Sequence, residues 1–252
     1  MITLTLVGIG TGNPDHVTRQ AQKAINACDL ILIPLKGDDK ADLAGLRRAI
    51  CDSCLTNPTT RIEAFDLPVR DPATPDYLRR VHDWHDAIAD RWQDAIQRHL
   101  ANGGGPNVGL LVWGDPSLYD STLRIAERVG KRLPLKVQVI AGITAIQALC
   151  AAHAIALNEL GAPVIITTGR RLRDEGWPAG VDTAVVMLDS GGAFQALDPA
   201  GLSIWWGAYV GMEEQILLSG PLAEVSEQIL ATRAQARARH GWIMDIYLLR
   251  KH

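Results

Sequence analysis

The chain has 252 residues, of which 47% are hydrophobic and 21% charged, and its 25 Lys and Arg against 28 Asp and Glu leave a formal charge of −3. This is the composition of an ordinary soluble globular protein, long enough to bury about 70–75% of its unfolded surface without metals or disulfides. The near balance of charge supplies no global field that would draw nucleic acid or an anionic membrane to it.

Residues Ile2 to Val7 alternate and are rich in Thr, Leu and Val, as in a strand. The N-terminus lacks the basic region and small-residue cleavage site of a secretion signal. A glycine-rich turn, Gly8-Ile-Gly10-Thr-Gly12-Asn-Pro14-Asp15, leads into a helical stretch from Thr18 to Cys28 and a second apolar run, Leu30 to Pro34. Strand, crossover helix and buried strand make a βαβ unit and imply a parallel sheet. A helix over 74–100 follows from Tyr77, Val81, Trp84, Ile88, Trp92 and Ile96, with Thr74 as cap and Pro75 in the first turn. Gly103 to Gly105 and Pro106 end it.

Val108 to Trp113 reads as a buried strand running into Gly114-Asp115-Pro116, Thr122 to Arg132 as a basic helix, and Val137 to Ile140 as a strand ending in Ala141-Gly142-Ile143-Thr144-Ala145. The apolar stretch Ala141 to Leu157, interrupted by Gln147 and His153, falls short of the ~20 residues of a spanning helix and reads as a buried helix of a cytoplasmic protein. Beyond it, strands at 163–167, 183–188, 202–206 and 242–249 have only one or two helices among them. Fewer helices per strand indicate a mixed sheet. The expected organisation is two α/β domains, residues 1–145 with a mostly parallel sheet and 146–252 with a mixed one.

The four cysteines, Cys28, Cys51, Cys54 and Cys150, are too few for a disulfide framework. Cys51-x-x-Cys54 has no second pair, and His82 and His85 read as solvated or boundary residues of a charged helix, so no metal is expected. Gly8-x-Gly10 invites a dinucleotide reading, but the third glycine of that fingerprint is replaced by Asn13. The acidic ribose partner is also missing, with Leu35-Lys36-Gly37 in its place. Asp115-Pro116 fits either a helix N-cap or a binding turn at the carboxyl end of a parallel strand. Thr144 reads locally as an N-cap, and Asp189-Ser190-Gly191-Gly192 as a tight turn, since the nucleophile elbow of a hydrolase is absent. Three turns at three strand ends of one sheet edge are expected to converge.

Taken together, these turns resemble the tetrapyrrole methylases, S-adenosylmethionine-dependent methyltransferases. The family's G-x-G-x-G-x-P-x-x-(L/V)-T-x-x-A is similar to Gly8-Ile-Gly-Thr-Gly12-Asn-Pro14-Asp-His-Val17-Thr18-Arg-Gln-Ala21, its G-D-P-x-x-Y to Gly114-Asp115-Pro116-Ser-Leu-Tyr119, and its (P/A)-G-(I/V)-(S/T)-(S/A) to Ala141-Gly-Ile-Thr-Ala145. Second-half strands and the Gly220-Pro221-Leu222 turn extend the likeness over nearly the whole chain. Within the family, Leu32-Ile-Pro-Leu-Lys-Gly-Asp38 and Gly241-Trp-Ile-Met-Asp-Ile-Tyr-Leu-Leu-Arg250 resemble the deacetylating branch of cobalamin biosynthesis.

That resemblance implies two α/β domains with S-adenosylmethionine in the cleft between them, usually in a homodimer, and no nucleic-acid or membrane partner. Carried over by motif, the cofactor residues are Thr11, Trp113, Gly114, Asp115, Leu118, Tyr119, Thr144, Ala145, Met187, Leu188 and Gly211, the last ahead of Gln215 where relatives carry G-T. The implied reaction methylates precorrin-5 at C1 and releases acetate. Asp15, His16 and Asp115 are the candidates for handling water in that step, unranked. Arg170, Arg171, Arg173 and Lys36 are the candidate carboxylate partners, since guanidinium groups bind carboxylates bidentately. The rival readings are another corrin or sirohaem methyltransferase, a diphthine synthase, a nicotinamide-dependent oxidoreductase and a non-catalytic nucleotide-sensing module.

Overall fold

The strand at the start of the chain is buried almost throughout because it lies inside a sheet whose two faces are both covered by helices. In a computed structural model, residues 1–35, 41–69 and 76–252 are described, without the side chains of residues 41–43 and 77. The chain divides into two units, Met1–Thr144 and Ala145–His252.

In the first unit, strands β1 (Ile2–Gly8), β2 (Leu30–Leu35), β3 (Arg61–Asp66), β4 (Asn107–Val112) and β5 (Leu135–Ile140) alternate with helices α1 (Arg19–Asn26), α2 (Ala41–Cys54), α3 (Tyr77–Ala101) and α4 (Thr122–Gly130). The described strands form one sheet of order β3-β2-β4-β1-β5 with every pair parallel. Leu4, Leu6, Leu30 and Leu32 pack against Ile88, Trp92 and Ile96 of α3 and Ile125 and Val129 of α4. Val7, Ile31 and Ile33 face the other way, toward Ile25 of α1 and Ile50 and Cys51 of α2. Cys51 and Cys54 are therefore core residues of α2.

Helix α3 begins later than its periodicity predicts. Asp76 supplies the cap, its carboxylate accepting from the Arg79 N–H at 3.1 Å, and the expected cap residues Thr74 and Pro75 lie outside the described residues. Its end follows the expectation, with Asn102 at the C-cap and Gly103 at φ +80°. On its outer face, His82 accepts from Arg128 of α4 at 2.8 Å, and Arg128 also pairs with Asp86 at 2.8 Å. Helix α2 and edge strand β3 had no sequence prediction. Arg61 and Glu63 leave β3 half polar, which hides the alternation.

In the second unit, α5 (Ala145–His153), β6 (Val164–Thr168), α6 (Gly169–Glu175), β7 (Thr183–Met187), β8 (Leu202–Ala208), β9 (Ile216–Pro221), α7 (Leu222–His240) and β10 (Asp245–Lys251) follow in order. The sheet order is β6-β7-β10-β8-β9, with β6 and β7 parallel and the other neighbours antiparallel, which makes it mixed. The helix expected across 141–157 is shorter, and only one face is buried: Ile146 and Leu149 point inward while Gln147 and Ala151 are exposed. The last strand starts at Asp245 rather than Trp242, because Trp242 is held elsewhere. Its ring packs edge-on against Tyr209 at 5.1 Å, and its carbonyl accepts from the Tyr209 hydroxyl at 2.6 Å.

No helix among the described residues is long and apolar enough to cross a membrane.

Candidate active site

The order β3-β2-β4-β1-β5 fixes where a ligand can enter the first unit. From β1 the chain moves out through β2 to β3, returns to place β4 beside β1, and then passes to β5 on the far side of β1. The winding direction therefore reverses at the β4–β1 pair, and open α/β sheets bind ligands outside the carboxyl ends of the strands at such a switch point. The first turn leaves β1 there and the second leaves β4.

The turns are knitted together by main chain. Gly10 and Gly114 form an isolated antiparallel bridge, Gly114 N–H donating to Gly10 O at 2.7 Å and Gly10 N–H to Gly114 O at 3.3 Å. A Cβ on Gly8 would lie 2.6 Å from the Gly142 nitrogen and 2.9 Å from the Gly114 oxygen, distances no side chain can occupy. One Cβ on Gly142 would overlap the same oxygen. Glycine at both positions lets the three strand ends approach at backbone distance.

Asp115 is the clamp. One carboxylate oxygen accepts from the Ser117 N–H at 2.8 Å and from the Ser117 hydroxyl, and the other accepts from the Gly142 N–H at 2.8 Å. Helix α4 starts only at Thr122, so the N-cap reading of Asp115-Pro116 is corrected. Asp115 closes a local turn and ties the second turn to the third. Burial pushes its carboxyl up, but hydrogen bonds from the Ser117 hydroxyl, Gly142 and the Ser117 amide outweigh that and leave it below the usual value. It stays ionised.

Around this clamp, Thr11 is buried and its hydroxyl meets His16 Nδ1 at 2.8 Å. A short 3-10 turn, Pro14–His16, carries that histidine over Gly10. Asp15 is exposed, and its amide donates to the Asn13 side chain at 2.9 Å. Trp113 and Leu118 are half-buried. Tyr119 is 44% exposed and has φ +49°, a left-handed conformation unusual for a bulky residue. Thr144 and Ala145, both half-buried, stand at the start of α5. Thr11, Trp113, Gly114, Asp115, Leu118 and Tyr119 thus share one strand edge with Gly142, which the motif marks but the residue set omitted.

In the second unit, Met187 ends β7 beside Thr168, Leu188 follows at φ +53° and 65% exposed, and Gly211 has φ +85° with its N–H donating to the Gln215 side chain at 2.8 Å. Arg170, Arg171 and Arg173 lie on α6. Arg171 is exposed and pairs with Glu175 at 2.7 Å, while Arg173 turns to Asp189 at 3.4 Å. Lys36 lies outside the described residues. Asp189 acts as the turn reading requires, accepting from the N–H groups of Gly191 and Ala193 at 3.1 and 2.6 Å.

Aromatic and apolar side chains, half-buried or exposed, stand beside tightly held main chain at a switch point. That lining suits a nucleoside carrying a thioether or sulfonium chain, which presents an aromatic face and hydroxyls.

Residues 3–226 match the family model of the Tetrapyrrole (Corrin/Porphyrin) Methylases. A precorrin-6A synthase [deacetylating] from Sinorhizobium sp is 49% identical over 253 aligned residues, covering 100% of this chain and 96% of that one. A precorrin-2 C(20)-methyltransferase from the same source is 32% identical over 149 residues, covering 56% and 54%. Among solved structures, a cobalamin synthesis related protein (CobF) from Corynebacterium diphtheriae superposes with a TM-score of 0.83 at 38% identity, covering 100% of this chain and 99% of the other. The uroporphyrin-III C-methyltransferase from Thermus thermophilus complexed with S-adenosylhomocysteine shares the fold, with a TM-score of 0.61 at 16% identity over 98% and 97% of the two chains.

Proposed function

Because this chain belongs to the tetrapyrrole (corrin/porphyrin) methylases, we propose that it is an S-adenosylmethionine-dependent C-methyltransferase of cobalamin biosynthesis, methylating precorrin-5 at C1 and releasing acetate to give precorrin-6A. The observation that carries this is the 49% identity, across the full chain, to a protein named for that deacetylating reaction. The expected setting is a homodimer in the cytoplasm, with a small polycarboxylate tetrapyrrole as its substrate.

A sulfonium methyl is already electrophilic and leaves from a neutral thioether, so alignment with the acceptor carbon supplies most of the acceleration. The residues fit that demand, since the Gly8–Gly114–Gly142 contact and the Asp115 clamp make the strand edge rigid. Asp115 is committed to three donors and serves binding geometry rather than proton transfer. Of the three candidates for the acetyl step, His16 is our choice: the Thr11 hydroxyl holds its ring through Nδ1, which leaves Nε2 to serve as the base toward a water. That water adds to the acetyl carbonyl as His16 takes its proton. The carbon–carbon bond then breaks with its electron pair retained by the macrocycle, and acetate leaves. Arg171, exposed on α6, is the first choice for a substrate carboxylate.

Calorimetry with S-adenosylhomocysteine followed by turnover of precorrin-5 tests the reading. Binding, methyl transfer and stoichiometric acetate are expected. Methyl transfer to another precorrin without acetate would assign a different member of the family, and NADPH binding with no affinity for S-adenosylhomocysteine would make it an oxidoreductase.

A further inference from the structure

Helices α3 and α4 pack together on one face of the first sheet and are laced by a ladder of charge. Arg128 donates through Nε to Asp86 at 2.8 Å, and one helical turn further on Arg132 pairs with Asp90. Each step is four residues on both helices, so the rungs share one register. The same register carried one turn back sets Arg124 opposite position 82. There the acid gives way to a histidine.

His82 does not complete that rung. A guanidinium only donates, so the 2.8 Å contact between Arg128 Nη2 and His82 Nδ1 makes Nδ1 the acceptor and leaves the ring's proton on Nε2, a second donor. Arg124 Nη1 turns instead to the Asp120 carbonyl at 3.0 Å, and among the described residues no acid lies within ion-pair distance of it. The Asp120 carboxylate is taken by the Thr122 N–H at 2.6 Å and by the Thr122 hydroxyl. Burial pushes its carboxyl up, and Arg47 opposes that more than Arg124 does, so it serves Arg124 poorly as a counterion. Arg124, Arg128, Lys131 and Arg132 therefore stand against Asp86, Asp90 and Glu127, and the unanswered positive charge is at Arg124.

The unmatched rung opens into a cavity. About 680 Å³ of space lies along the two helices, lined by His82, His85 and Asp86 of α3 and by Arg124, Arg128 and Lys131 of α4, among others, which is the size of an ordinary small-molecule site. His85 is 3% exposed, so part of the wall is a buried polar side chain. The Lys131–Glu127 pair, at 3.6 Å, is exposed and contributes little, so a ligand can draw Lys131 away at small cost. A seam that served only to join the helices would gain from an acid at 82, as it has at 86 and 90.

We propose that this cavity binds a small molecule through a phosphate or carboxylate group, which takes the place of the missing acid between Arg124 and His82. Arg124 meets the oxyanion with its guanidinium, His82 donates through Nε2, and Lys131 adds charge. The cavity shares no lining residue with the three glycine turns, and the proposal does not depend on the methyltransferase reading.

Calorimetry on the full chain at low ionic strength, with inorganic pyrophosphate and citrate as probes, tests it. Wild-type protein is expected to bind at least one of them one-to-one, a preference for pyrophosphate assigning a phosphate ligand and a preference for citrate a carboxylate one. Arg124→Gln should weaken that binding about tenfold or more, the scale of a lost hydrogen bond between charged groups. Lys136→Gln removes the same charge from an exposed position on β5, outside the cavity, and should leave affinity unchanged. His82→Asp supplies the missing rung from the chain itself, so Arg124 pairs internally and the probe is excluded. Should that variant fail to fold, Arg124→Gln against Lys136→Gln decides alone. No binding of either probe by wild-type protein, equal losses in Arg124→Gln and Lys136→Gln, or full affinity in a folded His82→Asp overturns the inference.

Discussion

Replacing Gly8 by alanine probes the contact on which the first-unit site depends. The added methyl would lie 2.6 Å from the Gly142 nitrogen, 2.8 Å from its Cα and 2.9 Å from the Gly114 oxygen, where ordinary contact begins near 3.4 Å. All three neighbours are main chain, so no rotamer change relieves the overlap, and the strand ends must part by about 0.5–0.8 Å, the shortfall from that ordinary distance. Overpacking of this kind costs about 1–3 kcal/mol. Parting the ends also stretches the Gly142–Asp115 bond, and a hydrogen bond to a charged group contributes about 1.5–3 kcal/mol. Since ~1 kcal/mol corresponds to about 2–4 °C in a chain of this size, Gly8→Ala should lower the melting temperature by roughly 5–24 °C and weaken S-adenosylhomocysteine binding. Gly45→Ala is the control: it is helical, meets nothing within 4 Å, and should be neutral or slightly stabilising. A Gly8→Ala protein with wild-type melting and wild-type affinity would refute the packing of the three turns.

Other outcomes follow from the same geometry. Asp115 has a depressed carboxyl, so its contribution is fully present above the unfolded carboxylate range and disappears as pH falls through its folded value. Asp115→Asn should flatten the acid limb of a stability profile, and an unchanged limb would remove the clamp. Arg171→Ala should cost little stability, because the Glu175 pair is solvent-exposed, yet raise the KM for the tetrapyrrole with cofactor affinity intact; a loss of cofactor affinity instead would misplace the substrate. Burial, more than neighbouring charge, pushes Cys28 up to about 12 and Cys51 up to about 11, so both should resist iodoacetamide at pH 8 in the native state, and rapid labelling would contradict their place in the core.

Sequence patterning reached β1, β2, β4 and β5 because each carries a run or an alternation of aliphatic residues, and it reached the three turns because glycine, aspartate and proline are constrained by backbone geometry. It missed β3, whose Arg61 and Glu63 mask an edge strand. It left the role of Asp115 open, since a cap and a clamp between turns use the same residue and only the 2.8 Å bond to Gly142, 27 residues on, separates them. Asp189 was legible as a turn residue, but its grip from Tyr247, 58 residues away, was not. Contacts of that span leave no local period to read.

The position of β1 has a consequence for how the protein is made. It pairs with β4, from Thr3↔Asn107, and with β5, to Val7↔Ile140, so β1 has no partner until about a hundred further residues are synthesised. Pairings of such long range make folding slow and leave apolar strands open to association in the meantime. The first glycine turn therefore cannot act as a binding element in a nascent chain, and a truncation before Asn107, which removes both partners of β1, should yield a protein that aggregates rather than one that binds weakly.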